Sequence, residues 1–162
     1  MRRRELIAEL EVLYRARYRQ FLRVATAIAG QEAAHDVVQE AFARAIRSSG
    51  SYRGDGSVEA WLWQVLLNSA RAVPRSVSFP LSFADAHESA VAANGYPGEE
   101  SEVRAWVVSL PERQRLAVFL RYYADLDYRA IASVLGIEVG TVSATLSSAH
   151  TALRRSFKEV SS

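Results

Sequence analysis

The chain has 162 residues, 49% of them hydrophobic and 23% charged, a formal net charge of +2 and no cysteine, which admits either one domain or two small ones with buried cores. Disulfides, thiolate zinc fingers and cysteine nucleophiles are thereby excluded, and three scattered histidines with no glycine-lysine phosphate loop and no metal-ligand spacing support no enzyme class. No cofactor or metal is expected, no apolar run approaches the ~20 residues of a membrane span, and residues 1–10 do not resemble a secretory signal, so the expectation is a soluble, cytoplasmic protein without membrane insertion.

From Arg4 to Ser48 apolar residues recur at three- and four-residue steps: Leu6, Leu10, Leu13, Phe21, Val24 and Ile28, then a break at Gly30. The second helix places Val37, Val38, Ala41, Phe42, Ala45 and Ile46 on one broad face and leaves Asp36, Gln39, Glu40 and Arg47 off it. A Gly/Ser loop at 48–57 precedes a third helix from about Val58 to Ala72, with Trp61, Leu62, Val65, Leu66 and Leu67 as its stripe and Pro74 as its stop. Residues 75–100 lack periodicity and carry no Lys or Arg between 76 and 100, against four Asp and Glu. A structureless stretch of that length reads as a linker between domains. It separates two modules with basic excess: 12 Lys and Arg against 8 Asp and Glu over residues 1–75, and 8 against 6 over 101–162.

The second module begins near Ser101 with a helix containing Trp106 and restarts at Ser109-Leu-Pro-Glu112, which has capping-box spacing. Leu116, Phe119, Leu120 and Tyr123 form the next stripe. Asp127 is placed to cap a helix from Tyr128 to Leu135 with Ile131, Ala132 and Leu135 inward, and Gly136 supplies the positive φ of a tight turn. Val139, Val142, Leu146 and Leu153 then continue a helical period. Two short helices joined in this way form a helix-turn-helix, which points to DNA, the alternative being an ordinary pair of packed helices. The fold expected is all-α, with two small helical domains at 1–74 and 101–162 joined by a flexible linker.

Three segments, in order, resemble the extracytoplasmic-function (ECF) sigma factors of the sigma-70 family. AHDVVQEAFARAIRS (34–48) resembles region 2.2, SYRGDGSVEAWLWQVLLNSA (51–70) resembles regions 2.3 and early 2.4, and SLPERQRLAVFLRYYADLDYRAIASVLGIEVGTV (109–142) is similar to region 4. The resemblance implies an initiation factor whose partners are core RNA polymerase, through the β′ coiled coil and the β subunit, promoter DNA and an anti-sigma factor. It implies that Asp36, Gln39 and Glu40 face the β′ coiled coil, where an acidic helix edge suits a basic surface; a solvated polar face is the alternative. It further implies that the loop 51–57 captures a base flipped from the −10 strand, with Tyr52 and Arg53 on nucleobases and phosphates. Trp61 reads as core, whereas Trp63 is open to either role and is placed with Asn68 and Arg71 in the −10 set. The linker, by the same resemblance, threads toward the RNA exit path, or is a plain tether.

Two departures from the family pattern stand out. After Asn68 only Arg71 and Arg75 are available to grip phosphates, and in the recognition helix the outward positions are Thr141, Ser143, Thr145, Ser148 and His150, with Arg154 and Arg155 at the far end. Hydroxyls lack the bidentate guanine readout of arginine and its charge. Beside the initiation factor stands a second possibility, a sigma-like decoy, adaptor or partner-dependent regulator with weakened promoter recognition. A third is a DNA-binding regulator without polymerase docking, which the Asp-Val-Val-Gln-Glu string disfavours. His35 and His87 have no partner identifiable from the sequence.

Overall fold

The computed structural model describes residues 1–74, 106–107 and 109–162. Its contacts divide the chain into two compact units, Met1–Ala86 and His87–Ser162. The expected linker at 75–100, with Arg75 and His87, lies outside the described residues, as does the chain from Ser101 to 105.

Unit 1 consists of three helices that pack pairwise: α1 (Arg3–Ala29), α2 (Gln31–Arg47) and α3 (Val58–Arg71). The helical period of the first half breaks once, at Gly30, whose N–H still bonds the Thr26 carbonyl at 3.0 Å. A single 3-10 turn (Ser49–Ser51) leads out of α2. Ser57 starts α3, its side chain accepting from the Ala60 N–H at 3.0 Å, which satisfies a donor that the first helical turn cannot pair internally. Leu6, Leu10, Phe21, Val24, Val38, Phe42, Leu62, Trp63 and Leu66 make the core. Phe21 is its hub, with ring centroids 4.4 Å from Trp63 and 5.4 Å from Phe42. Ile46, expected on the inner face of α2, is 39% exposed: in the last turn it is the neighbouring Ala45 that is fully buried, and Ile46 lies at the flank of that stripe.

Unit 2 packs α4 (Glu112–Tyr122), α5 (Tyr128–Leu135) and α6 (Val139–Val160) around Leu116, Phe119, Leu120, Ile131, Val142 and Leu146. The N-cap of α4 lies two residues beyond Ser109, the residue at which the capping-box spacing places it. Pro111 is the N-cap of α4, and the Ser109 hydroxyl instead donates to the Trp106 carbonyl at 2.6 Å. The reason is steric: proline pushes Leu110 out of the α region, so the helix starts after it. Among the described residues there is no strand, and no single helix is long and apolar enough to cross a membrane.

Candidate polymerase and nucleic-acid interfaces

The polar edge of α2 is fully presented. Asp36, Gln39 and Glu40 are all exposed, because Val37, Val38 and Ala41 between them carry the buried face; residues four apart on a helix share a side. Two of the three are anchored, each differently. Gln39 donates its amide to the Tyr14 hydroxyl at 3.0 Å, while Glu40 forms ion pairs with Arg47 at 2.9 Å and Arg44 at 3.5 Å. The acidic edge is therefore partly neutralised by arginines of its own helix. Beside it, the Tyr18 hydroxyl and His35 Nδ1 share a hydrogen bond of 2.8 Å, giving His35 the partner that a 17-residue separation hid from sequence reading. Burial first, and the neighbouring Tyr14 second, raise the Tyr18 phenol above its ordinary range.

The loop between α2 and α3 is held open at its tip and tied at its base. Gly54 takes φ 78, a conformation that costs other residues strain. Tyr52 is half-buried: its hydroxyl donates to the Gly56 carbonyl and its ring lies 5.4 Å from that of Trp61. Arg53 and Asp55 are exposed. One expected DNA contact is overturned here. Trp63 is 0% exposed, packed on Phe21, with its indole N–H buried and without an acceptor among the described residues. The buried stripe of α3 runs through Leu62, Trp63, Leu66, Leu67 and Ala70, so Trp63 is core and Trp61, half-exposed beside Tyr52, belongs to the loop surface. Asn68 and Arg71 are both exposed toward the end of α3.

In unit 2 the two helices of the helix-turn-helix meet at a bend of 98°, within the range of that motif. Asp127 Oδ1 accepts from the Ala130 N–H at 2.8 Å, and Gly136 adopts a left-handed φ of 67 while the Ile137 N–H returns to the Ala132 carbonyl at 3.0 Å. Those are the start and stop that helix ends need. The Arg121 guanidinium lies 5.5 Å from the Tyr128 ring centroid and donates to the Leu126 carbonyl, fixing α4 to the turn. Leu135, expected inward, is half-buried, and Val134 takes the buried place.

Counting along α6 from its buried residues, Val142, Leu146 and Ala149, the opposite face carries Gly140, Ala144, Ser147, Ser148 and Thr151, all exposed. Of the expected DNA-contacting positions, Ser143, Ser148, Arg154 and Arg155 are exposed, whereas Thr141, Thr145 and His150 are half-buried on the flanks. His150 Nε2 shares a 2.7 Å hydrogen bond with the Tyr122 hydroxyl of α4. Gly140, Ala144, Ser147 and Thr151 are outward residues that sequence reading passed over; the period of the buried stripe was the signal that locates them. Ser147, Ser148, Thr151, Ala152 and Arg155 line a shallow, open depression. Among the described residues no group of three or more His, Asp or Glu is arranged to hold a metal.

Residues 13–73 match the family described as sigma-70 region 2, and residues 102–153 match sigma-70 region 4. The ECF RNA polymerase sigma-E factor of Escherichia coli strain K12 is 34% identical over 134 residues, covering 73% of this chain and 70% of the relative. The chain belongs to the sigma-70 family, as an ECF RNA polymerase sigma factor. Another relative, the RNA polymerase sigma-H factor of Pseudomonas aeruginosa, is 30% identical over 145 residues, covering 77% of this sigma factor and 73% of its relative. The fold is shared with CnrH, solved in complex with the cytosolic domain of CnrY, at a TM-score of 0.69 with 18% identity over 96% of this chain and 97% of that one. It is also shared with RpoE of Bartonella quintana, solved with the anti-sigma factor NepR, at a TM-score of 0.61 with 18% identity, covering 93% and 95%.

Proposed function

We propose that this sigma factor uses the α2 edge to dock on core polymerase, the 51–57 loop to hold the opened −10 strand, and α6 to meet the −35 region. Asp36, Gln39 and Glu40 are the polymerase contacts, addressed to the β′ coiled coil, with the β subunit as a further contact of the assembled enzyme. Tyr52 and Arg53, with Trp61 behind them and Asn68 and Arg71 along α3, form the −10 surface. Ser143, Ser148, Arg154 and Arg155 line the −35 surface, flanked by Thr141, Thr145 and His150. The observation that carries this reading is a single one: the exposed Asp36-Gln39-Glu40 edge and a capped helix-turn-helix occur in one chain, each in the unit whose family match calls for it. The domains are taken as 1–74 and 101–162, with 75–100 as the tether. The chain itself performs no chemistry, and polymerase supplies catalysis in the cytoplasm. The complex of RpoE with the anti-sigma factor NepR motivates an anti-sigma partner for this chain also.

The test is reconstitution with core polymerase of the source organism, transcription of fragmented genomic DNA and sequencing of 5′ ends. Discrete new starts sharing upstream elements establish promoter-directed initiation. Stable core binding without such starts selects the second reading, a decoy, adaptor or partner-dependent factor. One observation favours that second reading: between Val139 and Leu153 the recognition helix has no Arg, Lys, Asn or Gln.

A further inference from the structure

The outward face of α6 is chemically unusual for a helix that enters DNA. From Val139 to Leu153 there is no Arg, Lys, Asn, Gln, Asp or Glu, so none of the side chains that make two hydrogen bonds to a guanine or adenine edge is present. What stands opposite the buried stripe is Gly140, Ala144, Ser147, Ser148 and Thr151. Ala144 offers only a methyl group. Thr151 Oγ1 donates to the Ser147 carbonyl at 3.0 Å, so its proton is committed to its own helix, and what it offers a partner is an acceptor oxygen and a methyl. A Cβ built on Gly140 would meet nothing within 4 Å, which leaves the backbone there clear for close approach to a groove.

In the major groove one base carries an apolar mark, the thymine 5-methyl, and alanine and the threonine methyl are the side chains that contact it; guanine recognition calls for arginine or lysine. We infer that α6 reads its upstream promoter element through thymine 5-methyl groups, with Ala144 and Thr151 as the specificity-determining residues. Single hydroxyl bonds from Ser147 and Ser148 supplement these contacts, and Arg154 and Arg155 supply the phosphate grip beyond them. The inference rests on the reading of α6 as the −35 helix and specifies what it reads.

The test uses holoenzyme assembled from the full chain and core polymerase. Start sites mapped on fragmented genomic DNA define the upstream element, and promoter duplexes are then made with uracil replacing single thymines in it, which deletes one methyl and keeps the base pair. Loss of a contacted methyl weakens holoenzyme binding by about fourfold, the weight of one buried methyl group. In Ala144→Gly, and in Thr151→Ser, which keeps the hydroxyl and removes only the methyl, the uracil effect disappears at the position each residue contacts, while helicity measured by circular dichroism is retained. An upstream element defined by guanines, or uracil duplexes bound equally well at every position, overturns the methyl readout and leaves promoter recognition intact. Core binding with no discrete starts overturns both.

Discussion

Reversing charge on the α2 edge, Asp36→Arg with Glu40→Arg, separates docking from folding. Glu40 would lose its ion pairs to Arg44 and Arg47, whose side chains are 46% and 64% exposed while that of Glu40 is 47% exposed. Exposed helix pairs are worth about 0.3–0.5 kcal/mol each, and the like-charge contacts created with the same arginines cost similar amounts. The total penalty is then about 1 kcal/mol, with about 2 kcal/mol as its ceiling, and no buried side chain is touched, so unit 1 stays helical. At the interface the consequence is larger. In the proposed docking, two acidic contacts become two basic ones against a basic surface, and juxtaposed like charges cost several kcal/mol; a loss of about 3–4 kcal/mol corresponds to roughly 10²- to 10³-fold in affinity. Competition between the variant and the parent chain for labelled core polymerase measures this, with far-ultraviolet circular dichroism as the folding control. A helical variant that binds core within threefold of the parent would refute the placement of the polymerase surface on α2.

Within the same unit, Trp63→Ala deletes a fully buried ring and costs about 3–5 kcal/mol by thermal or urea melting, whereas Tyr52→Ala, which removes a half-buried ring and one hydrogen bond, costs about 1–2 kcal/mol and lowers open-complex formation measured by permanganate reactivity of the −10 strand. Asp127→Ala removes the acceptor of the Ala130 N–H and destabilises unit 2 by about 1 kcal/mol, seen as a lower melting midpoint without loss of core binding. Replacing Arg154 and Arg155 by alanine reduces the slope of log affinity against log salt for holoenzyme on promoter duplexes by about 2, since each phosphate contact contributes close to one counterion.

Much of the architecture is legible in the sequence because its helix ends are marked by residues with local reasons to be there: Gly30, Ser57, Pro74, Asp127 and Gly136 each act on their own few neighbours. Errors arise where a longer-range or steric effect decides. The serine-proline-glutamate spacing before α4 satisfies the capping-box pattern, yet the restriction that Pro111 places on Leu110 moves the helix start. Trp61 and Trp63 cannot be told apart by hydropathy, and what assigns Trp63 to the core is Phe21, 42 positions earlier, at 4.4 Å. The pairings of Tyr18 with His35 and of Tyr122 with His150 join different helices, so no window of sequence contains both partners. The exposed Asp36-Gln39-Glu40 edge is readable because α2 has a clean apolar face; the outer face of α6 is not, because its residues are small and of mixed polarity, and only the buried stripe fixes their direction.

The tie from Tyr52 to Gly56, the ring of Trp61 behind it and the Ser57 cap close the 51–57 loop on itself before any strand arrives. A binding element that is already shaped loses little chain entropy on capture. Cutting that tie, as in Tyr52→Phe, would leave the contact chemistry largely in place and yet slow or loosen capture, because the loop would have to find its shape and its base together. On the proposed reading of this loop, strand opening depends on the rigidity of seven residues as much as on the aromatic and basic groups they display.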